Sequence, residues 1–455
     1  MLELIQSVNS AVNNFIWGVP AMICIIGVGL LLTIKTRFLQ IRKFPYAMKE
    51  TIGRAFKKQD ASDGSMTPFQ AVCTALASTV GTGNIAGVAG AIAIGGPGAV
   101  FWMWISAFFG MATKYAEGVL AIKYRTKDEN GQIAGGPMYY IEKGLHNKFL
   151  ATLFAFFGVA VAYLGIGTFT QVRSISDALH LSFHVPYWIS AIILTLLVGF
   201  ITIGGIHRIA AVAEKVIPFM CVFYISGVVL ILLTHLPMIP HVLKIVLASA
   251  FDIKAVFGAG MGVAMKMGIS RGIFSNESGL GSAPIAAAAQ TDSCVEQGLV
   301  SMTGTFIDTM VICTMTGLAI LITGANTSGL EGAAVTSLAF NRGLIIPFIG
   351  EYIVNIGLIF FAFTTIIGWN YYGERCMYYL AGIRSIKIYK IIFIILIAIG
   401  PFMSLQFIFI LADIVNGCMA IPNLIGLIGL RKEVIAETEK YFKEENTCSI
   451  EELSI

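Results

Sequence analysis

Charged residues are scarce in this sequence. Aspartate, glutamate, lysine and arginine together make up 12% of its 455 residues, and hydrophobic residues make up 56%. A soluble globular domain carries about a quarter of charged residues, so this composition excludes an ordinary soluble protein. Residues 15–34 already form an apolar run of roughly the 20 residues that cross a bilayer. We therefore predict a multi-pass membrane protein that lies in a lipid bilayer.

Paired cysteines and enzyme motifs are also missing. The eight cysteines are scattered without a Cys-x-x-Cys pair, which supports neither a disulfide framework nor a metal site. The predicted helices contain no His-x-x-Glu-His, Gly-x-Ser-x-Gly or Cys–His combination. The first residues carry Glu3 and no basic cluster, so we expect no cleaved signal peptide. We expect no catalytic residues, no organic cofactor and no nucleic-acid partner.

Eleven hydrophobic segments are long enough to be membrane helices. They run approximately over residues 14–34, 67–95, 98–124, 149–179, 186–204, 210–234, 255–288, 297–323, 348–381, 387–403 and 405–430. A short extracellular helix or loop is predicted at 330–343. Most lysines and arginines fall in the loops on the same side as the basic loop 35–58. Because such loops stay in the cytoplasm, we predict an N-terminus outside and a C-terminus inside the cell membrane.

The helix count predicts an internal repeat. Residues 1–34 hold an extra first helix, and 35–66 form a basic cytoplasmic loop. Ten helices remain, five in residues 67–234 and five in 255–430, joined by an extracellular connection at 235–254. A tail at 431–455, which is helical or disordered, ends the chain in the cytoplasm. Five is an odd number, so the second unit enters the membrane from the opposite side. This predicts an all-α, leucine-transporter-like fold with a 5+5 inverted repeat and two discontinuous helices.

Two polar, glycine-bearing interruptions carry the functional prediction. The first is Ser78-Thr79-Val80-Gly81-Thr82-Gly83-Asn84, and the second is Phe274-Ser275-Asn276-Glu277-Ser278-Gly279. Non-helical backbone at membrane depth survives only where protein or a watery cavity covers it. A pair of broken helices in corresponding positions is typical of a secondary transporter's binding site. The alternative is that Gly-x-Gly simply packs closely against a neighbouring helix.

Each break frees backbone groups that suit a zwitterion. Free N–H groups at a helix start favour a carboxylate, and free carbonyls at a helix end favour a cation. We therefore predict a carboxylate site at the N–H groups of about Gly83, Asn84 and Ile85. Carbonyls around Thr79 and at 274–276 are predicted to hold an ammonium group or a metal ion.

Four further polar features lie inside apolar segments. Thr364 and Thr365 are adjacent hydroxyls that either bond their own helix or form an oxygen cage for a small cation. Gln171 bonds either a substrate carboxylate or another helix. Glu277 and Asp308 are intramembrane acids and functional candidates by default. For Glu277, the alternatives are a structural pairing with Arg271 or Lys266, or a role at the N-terminus of the new half-helix.

Several long motifs resemble a known family. They are Val80-Gly-Thr-Gly-Asn-Ile-Ala-Gly-Val-Ala, Gly95-Gly-Pro-Gly-Ala-Val-Phe-Trp-Met-Trp, Ala134-Gly-Gly-Pro-Met-Tyr-Tyr-Ile-Glu-Lys-Gly, Arg271-Gly-Ile-Phe-Ser-Asn-Glu-Ser-Gly-Leu-Gly-Ser-Ala-Pro and Gly368-Trp-Asn-Tyr-Tyr-Gly-Glu-Arg. Together they resemble the alanine or glycine:cation symporter family over nearly the whole chain.

The resemblance implies a fold of eleven helices and sodium-coupled uptake of alanine or glycine, with proton coupling in some members. Mapped by motif, the implied substrate site consists of Thr79, Gly83, Gln171, Phe274, Ser275, Asn276 and Glu277, with Trp369 closing the pocket. By similarity with related carriers, the implied sodium site uses carbonyls of Ala77, Val80 and Phe361 and the hydroxyls of Thr364 and Thr365.

A sodium:alanine/glycine symporter is therefore the leading hypothesis, and a proton-coupled carrier of small amino acids is the first alternative. An ion channel is a weaker alternative because it predicts repeated pore-lining charge or a carbonyl filter. Two unlike breaks in a pseudo-repeat do not supply that pattern.

Overall fold

The structure is a computed structural model that describes residues 18–56, 68–251, 260–287, 293–346 and 348–452. These residues are mostly helical. The α-helices, labelled α1 to α21 in chain order, are Val19–Lys35, Leu39–Arg42, Phe44–Phe56, Pro68–Thr79, Ala86–Gly95, Gly98–Lys123, Pro137–Leu145, Lys148–Leu164, Phe169–Phe183, Tyr187–Ile203, Gly205–Thr234, Ile239–Ala250, Gly260–Asn276, Ala283–Ala287, Cys294–Thr305, Thr314–Ile322, Ala333–Gly343, Ile349–Ala381, Ser385–Ile399, Leu405–Gly429 and Arg431–Glu452. A small antiparallel hairpin pairs β1 (Thr126–Lys127) with β2 (Ile133–Ala134).

Six helical segments among the described residues are long and apolar enough to cross a membrane. They are Lys148–Phe183, Arg208–Thr234, Cys294–Ile322, Ile349–Ala381, Ser385–Phe402 and Phe407–Gly429, and four shorter apolar helices accompany them. Helix α6 is also long but carries Lys114 and Glu117 in its interior. The helices follow the eleven predicted segments in order and position. The outermost predicted residues 14–17, 67, 255–259 and 288 lie outside the described part.

The two predicted interruptions are breaks in the structure. The first break, residues 80–85, separates α4 from α5 and contains a 3₁₀ turn at Thr82–Asn84. The second break, residues 277–282, separates α13 from α14. The first break touches the last turn of α13, which leads into the second break, because a Cβ added to Gly83 would lie only 2.9 Å from the Cα of Ser275. Glycine is needed there for the close approach of two backbones.

The predicted continuous helix at 149–179 is wrong, because α8 ends at Leu164 and α9 begins at Phe169. This third break, residues 165–168, lets Gly167 lie against Trp369, whose Cβ would be 2.8 Å from an added Cβ. Carbonyls at this break accept hydrogen bonds from nearby side chains of the same segment. The Thr168 hydroxyl donates to Ala162 O at 2.5 Å, and the Gln171 amide donates to Ile166 O at 3.1 Å.

A π-helical segment, Phe306–Cys313, connects α15 to α16. Such segments are rare and appear often at functional sites, because the wider turn shifts side chains out of the regular helical register. Here the shifted turn carries Asp308, which is fully buried. The predicted helix at 297–323 is therefore present, but its middle is not α-helical.

The connecting segments contain more helix than predicted. Helix α12 occupies most of the predicted connection at 235–254, and α17 confirms a helix within 330–343. Helices α2 and α3 lie in the basic loop 35–58, whose last two residues are outside the described part. The tail forms helix α21, which the sequence left open between helix and disorder.

Candidate transport site

At the first break, the backbone leaves the helix after Thr79 and re-enters it at Ala86. Gly81 has an extended conformation, with φ −144° and ψ −151°. An added Cβ at Gly81 would lie 2.7 Å from the Thr365 hydroxyl, so the break contacts α18 directly. The predicted carboxylate donors are partly engaged within this turn. Asn84 N–H donates to Gly81 O at 3.2 Å, and Ile85 N–H donates to Thr82 O at 3.3 Å.

Five oxygen atoms converge where the first break meets α18. The Thr365 hydroxyl oxygen lies 3.2 Å from Ala77 O, 3.5 Å from Val80 O and 3.0 Å from Phe361 O. The hydroxyl of Thr364 lies 3.0 Å from the same Phe361 carbonyl. The structure thus brings together all five residues of the predicted sodium site. Neutral carbonyl and hydroxyl oxygens in one small volume form a hard-ligand set that suits a small cation.

Gln171 reaches the first break close to Thr365, since a Cβ added to Gly81 would lie 2.7 Å from the Thr365 hydroxyl and 3.6 Å from the Gln171 amide. Thr82 N–H donates to Gln171 Oε1 at 3.4 Å, so the predicted residue Gln171 reaches the break from α9. The Thr82 hydroxyl is buried without a hydrogen-bond partner in the described structure. Burying a hydroxyl without a hydrogen-bond partner costs free energy. A hydrogen bond to a ligand or a water molecule would remove that cost.

Asn84 links the first break to the π-helical segment. Its side-chain amide donates to Asp308 Oδ1 at 2.7 Å, and its Oδ1 accepts from Gly81 N–H at 2.9 Å. Ser275 and Thr309 both donate to Asp308 Oδ2, at 2.8 Å and 2.7 Å. Asp308 therefore ties both breaks to the π-helical segment through side-chain hydrogen bonds.

The second break turns through left-handed backbone at Glu277 (φ 57°), Gly279 (φ 84°) and Gly281 (φ 80°). Positive φ is uncommon for a residue other than glycine and persists only where neighbours hold it. The Glu277 carboxylate accepts from Trp369 Nε1 at 2.8 Å and from the Ser282 hydroxyl at 2.6 Å. Glu277 thus links the second break to α18 and bonds Ser282 at the start of α14. Among the described residues its carboxylate forms no ion pair with Arg271 or Lys266, and Arg271 pairs with Asp413 instead.

Asn276 completes the polar wall of the second break. Its Oδ1 accepts from Ser278 N–H at 2.9 Å, and its amide donates to the Thr309 hydroxyl at 3.0 Å. Asn276 and Thr79 line one cavity of about 40 Å³, which has room for a few water molecules. The predicted residues Thr79 and Asn276 therefore meet at a small, largely apolar cavity beside the ends of α4 and α13.

Phe274 and Trp369 are the predicted aromatic walls. Trp369 is fully buried, and its ring makes an edge contact with Tyr372, 5.3 Å between centroids. Phe274 is 6.0 Å from Phe409 between ring centroids. The Arg271 guanidinium lies 5.4 Å from the Phe274 ring centre and bonds Asp413 at 2.9 Å. An ion pair and two aromatic rings therefore close the side of the second break that α13 enters.

Two charged residues of α6, Lys114 and Glu117, were not among the predicted site residues. Lys114 lines the same cavity as Thr79 and Asn276, and Glu117 lies one turn further along the helix. Glu117 accepts a hydrogen bond from Asn423 at 2.7 Å, and Asn423 also donates to Gly279 O at 2.9 Å. A sequence signal existed, because ionisable residues inside a membrane helix are functional candidates by default.

The broken helices and the polar site between them define a secondary transporter of the leucine-transporter-like fold. A solved structure shows the same fold: the crystal structure of MhsT in complex with L-phenylalanine has a TM-score of 0.58. It is 15% identical in sequence, and the match covers 85% of this chain and 99% of that chain. The model of the sodium:alanine symporter family matches residues 2–453, and this chain belongs to that family.

Two full-length relatives agree with this assignment. The sodium/alanine symporter AgcS of Methanococcus maripaludis is 47% identical over 449 residues, which cover 97% of this chain and 98% of the relative. An uncharacterized transporter of Haemophilus influenzae is 54% identical over 445 residues, 96% of each chain. This chain is therefore a membrane transporter of the amino-acid symporter class and not an enzyme.

Proposed function

We propose that this protein is a sodium-coupled symporter that imports alanine, glycine or both by alternating access. The family supports amino-acid transport. The observation that carries the sodium coupling is the convergence of Ala77, Val80 and Phe361 carbonyls on the Thr365 hydroxyl. These carbonyl and hydroxyl ligands carry no formal charge. The affinity of the site for sodium would therefore come from the alignment of their dipoles with the ion.

Sodium binding and substrate binding share the first break. Ala77 and Val80 flank the end of α4, while Thr82 and Gly83 lie just beyond it. An ion that joins the end of α4 to α18 would fix the backbone from which Thr82 faces the substrate. The substrate carboxylate would then bond the unpartnered Thr82 hydroxyl beside Gln171. This order makes sodium a precondition for tight amino-acid binding, which is the thermodynamic linkage that symport requires.

The two sides of the site differ, because side-chain contacts close one and a cavity lies on the other, and this difference supports alternating access. With the proposed orientation, α13 starts outside, so the Arg271–Asp413 ion pair and the Phe274–Phe409 contact close the extracellular side. The cavity that Thr79 and Asn276 line lies toward the cytoplasm, where Thr51 of α3 also borders it. The conformation is thus closed outside, with space on the cytoplasmic side of the breaks.

Proton coupling is the second candidate, and the buried carboxylates of Glu277 and Asp308 favour it. Labelled alanine uptake into proteoliposomes separates the two. We expect accumulation when a sodium gradient is imposed and none when a proton gradient is imposed without sodium. Accumulation driven by protons alone would replace sodium with a proton in the proposal. Absence of uptake with either gradient, for alanine and for glycine, would contradict the proposed substrate class.

A further inference from the structure

Lys114 is a buried lysine whose charge has no direct partner in the described structure. It lies in the middle of α6, is 2% exposed, and its amino group makes no hydrogen bond. No carboxylate oxygen of the described residues lies within 4.0 Å of it, since it forms none of the ion pairs. An ammonium group is expensive to bury unless opposite charge or water compensates for it. Lys114 therefore needs a compensating group.

Three buried acids lie near the cavity that Lys114 lines. Glu117 follows Lys114 by three residues on α6. Asn276 and Ile307, the residues before Glu277 and Asp308, line the same cavity as Lys114. One oxygen of Glu117 also lacks a hydrogen-bond partner. The region thus contains three carboxylates and one lysine, and two of its charged atoms are unpaired.

The cavity gives the lysine head group room to act. Lys114 shares it with Thr79 and Asn276, one from each broken helix. Most of the cavity wall is apolar, and four hydroxyl-bearing residues also line it: Thr51, Ser301, Thr303 and Thr305. A lysine has three donors on a flexible stem, and the cavity has room for a water molecule that its amino group could bond.

We propose that Lys114 is the counter-cation for the buried acids Glu117, Glu277 and Asp308, and that its charge takes the place of a second coupling ion. Each substrate molecule then moves with a single sodium ion, the one bound at Thr365. This inference rests on the proposed sodium coupling and adds a stoichiometry to it. The lysine stays in the protein throughout the cycle, so its charge is never transported.

The test is the sodium dependence of alanine binding to purified Lys114→Met, Lys114→Arg and wild-type protein. Wild type and Lys114→Arg should bind alanine with a Hill coefficient for sodium of about 1. Lys114→Met should show a coefficient that rises toward about 2 and a several-fold higher half-saturating sodium concentration, because a second ion must replace the lost charge. Lys390→Met is the matched control, since Lys390 pairs with Glu374 at 2.9 Å away from the breaks.

A double variant keeps the test decisive if Lys114→Met does not fold. Lys114→Met with Glu117→Gln removes one charge of each sign, so it should fold and retain a coefficient of about 1. A wild-type coefficient near 2, or Lys114→Met protein that behaves like wild type, would overturn the inference. So would a double variant that is no more stable than Lys114→Met. Wild-type binding without any sodium dependence would instead refute the proposed function.

Discussion

At the residue scale, Thr365 is the side chain on which the proposed sodium site depends most. Its hydroxyl oxygen lies within 3.5 Å of three backbone carbonyls, whereas that of Thr364 lies near two carbonyls of its own helix, Phe360 and Phe361. Thr365 therefore joins α18 to the first broken helix. Thr364 adds one oxygen from the α18 side alone.

Thr365→Ala should raise the sodium concentration for half-maximal transport by roughly tenfold, because a lost polar contact to a charged partner costs about 1.5–3 kcal/mol. Thr364→Ala should raise it less. Sodium titration of alanine uptake measures both effects. Thr202→Ala is a matched control, since the hydroxyl of the buried residue Thr202 bonds only carbonyls of its own helix. An unchanged sodium dependence in both site variants would remove these residues from the ion site.

Gly83→Val should abolish alanine binding while the protein still inserts into the membrane. An added Cβ would lie 2.9 Å from the Ser275 Cα, so the first break and α13 would be forced apart. Gly90→Val is the control on the same broken helix, because nothing lies within 4 Å of an added Cβ there. Isothermal titration of the purified proteins measures binding. Normal binding by Gly83→Val would show that the approach of the first break to α13 is not needed for substrate.

Some residue roles were predictable from the sequence and others were not. Adjacent hydroxyls in an apolar run identified Thr364 and Thr365, since a polar pair at that depth needs a partner. Asn84 was predicted to offer its backbone N–H to a carboxylate, but that N–H closes a 3₁₀ turn and the side chain binds Asp308. This contact joins distant parts of the chain, and no local pattern encodes it.

At the element scale, the three breaks differ in how clearly the sequence predicts them. The first and second carry polar side chains that interrupt the apolar pattern. The third has the same Gly-x-Gly spacing, Gly165 and Gly167, as Gly81 and Gly83 in the first. The residues before it are apolar, however, so the hydrophobic run leads directly into it and predicts one helix. The π-helical segment has no comparable sequence signal, because its residues remain compatible with an α-helix.

The proposed outer closure is a contact between two elements, α13 and α20. Asp413→Asn should weaken the ion pair with Arg271 and shift the population toward an outward-open form. Spin labels at the exposed positions Gly262 and Phe402 should then report a longer distance component than in wild type. Asp177→Asn is the control, because Asp177 pairs with Arg173 within one helix at 3.0 Å. An identical distance distribution in Asp413→Asn would exclude a gating role for this pair.

At the scale of the whole molecule, the order and number of helices were predictable because a membrane span has a fixed length. The cytoplasmic and extracellular assignment remains a prediction from the lysine and arginine distribution. The arrangement of the helices around the site depends on contacts such as Gly83 against Ser275 and Gly167 against Trp369. These contacts join residues far apart in the chain, so composition and periodicity do not specify them.

Transport selectivity should depend on the volume of the substrate side chain. Any α-amino acid presents the same carboxylate and ammonium group, so discrimination falls to the packed walls at Phe274 and Trp369. Overpacking a rigid site costs about 1–3 kcal/mol, which is roughly a ten- to hundredfold loss of affinity. Unlabelled glycine and alanine should therefore compete for labelled alanine uptake, and leucine and phenylalanine should compete poorly. Strong inhibition by leucine, or none by glycine and alanine alike, would contradict this account.

The most direct test of the central claim is whether alanine drives sodium across the membrane. Proteoliposomes hold equal sodium concentrations on both sides, and alanine is added outside at constant pH. The account predicts that radioactive sodium enters only when alanine is present, and that Thr365→Ala reduces this entry. Alanine uptake that proceeds without any sodium movement would contradict sodium-coupled symport.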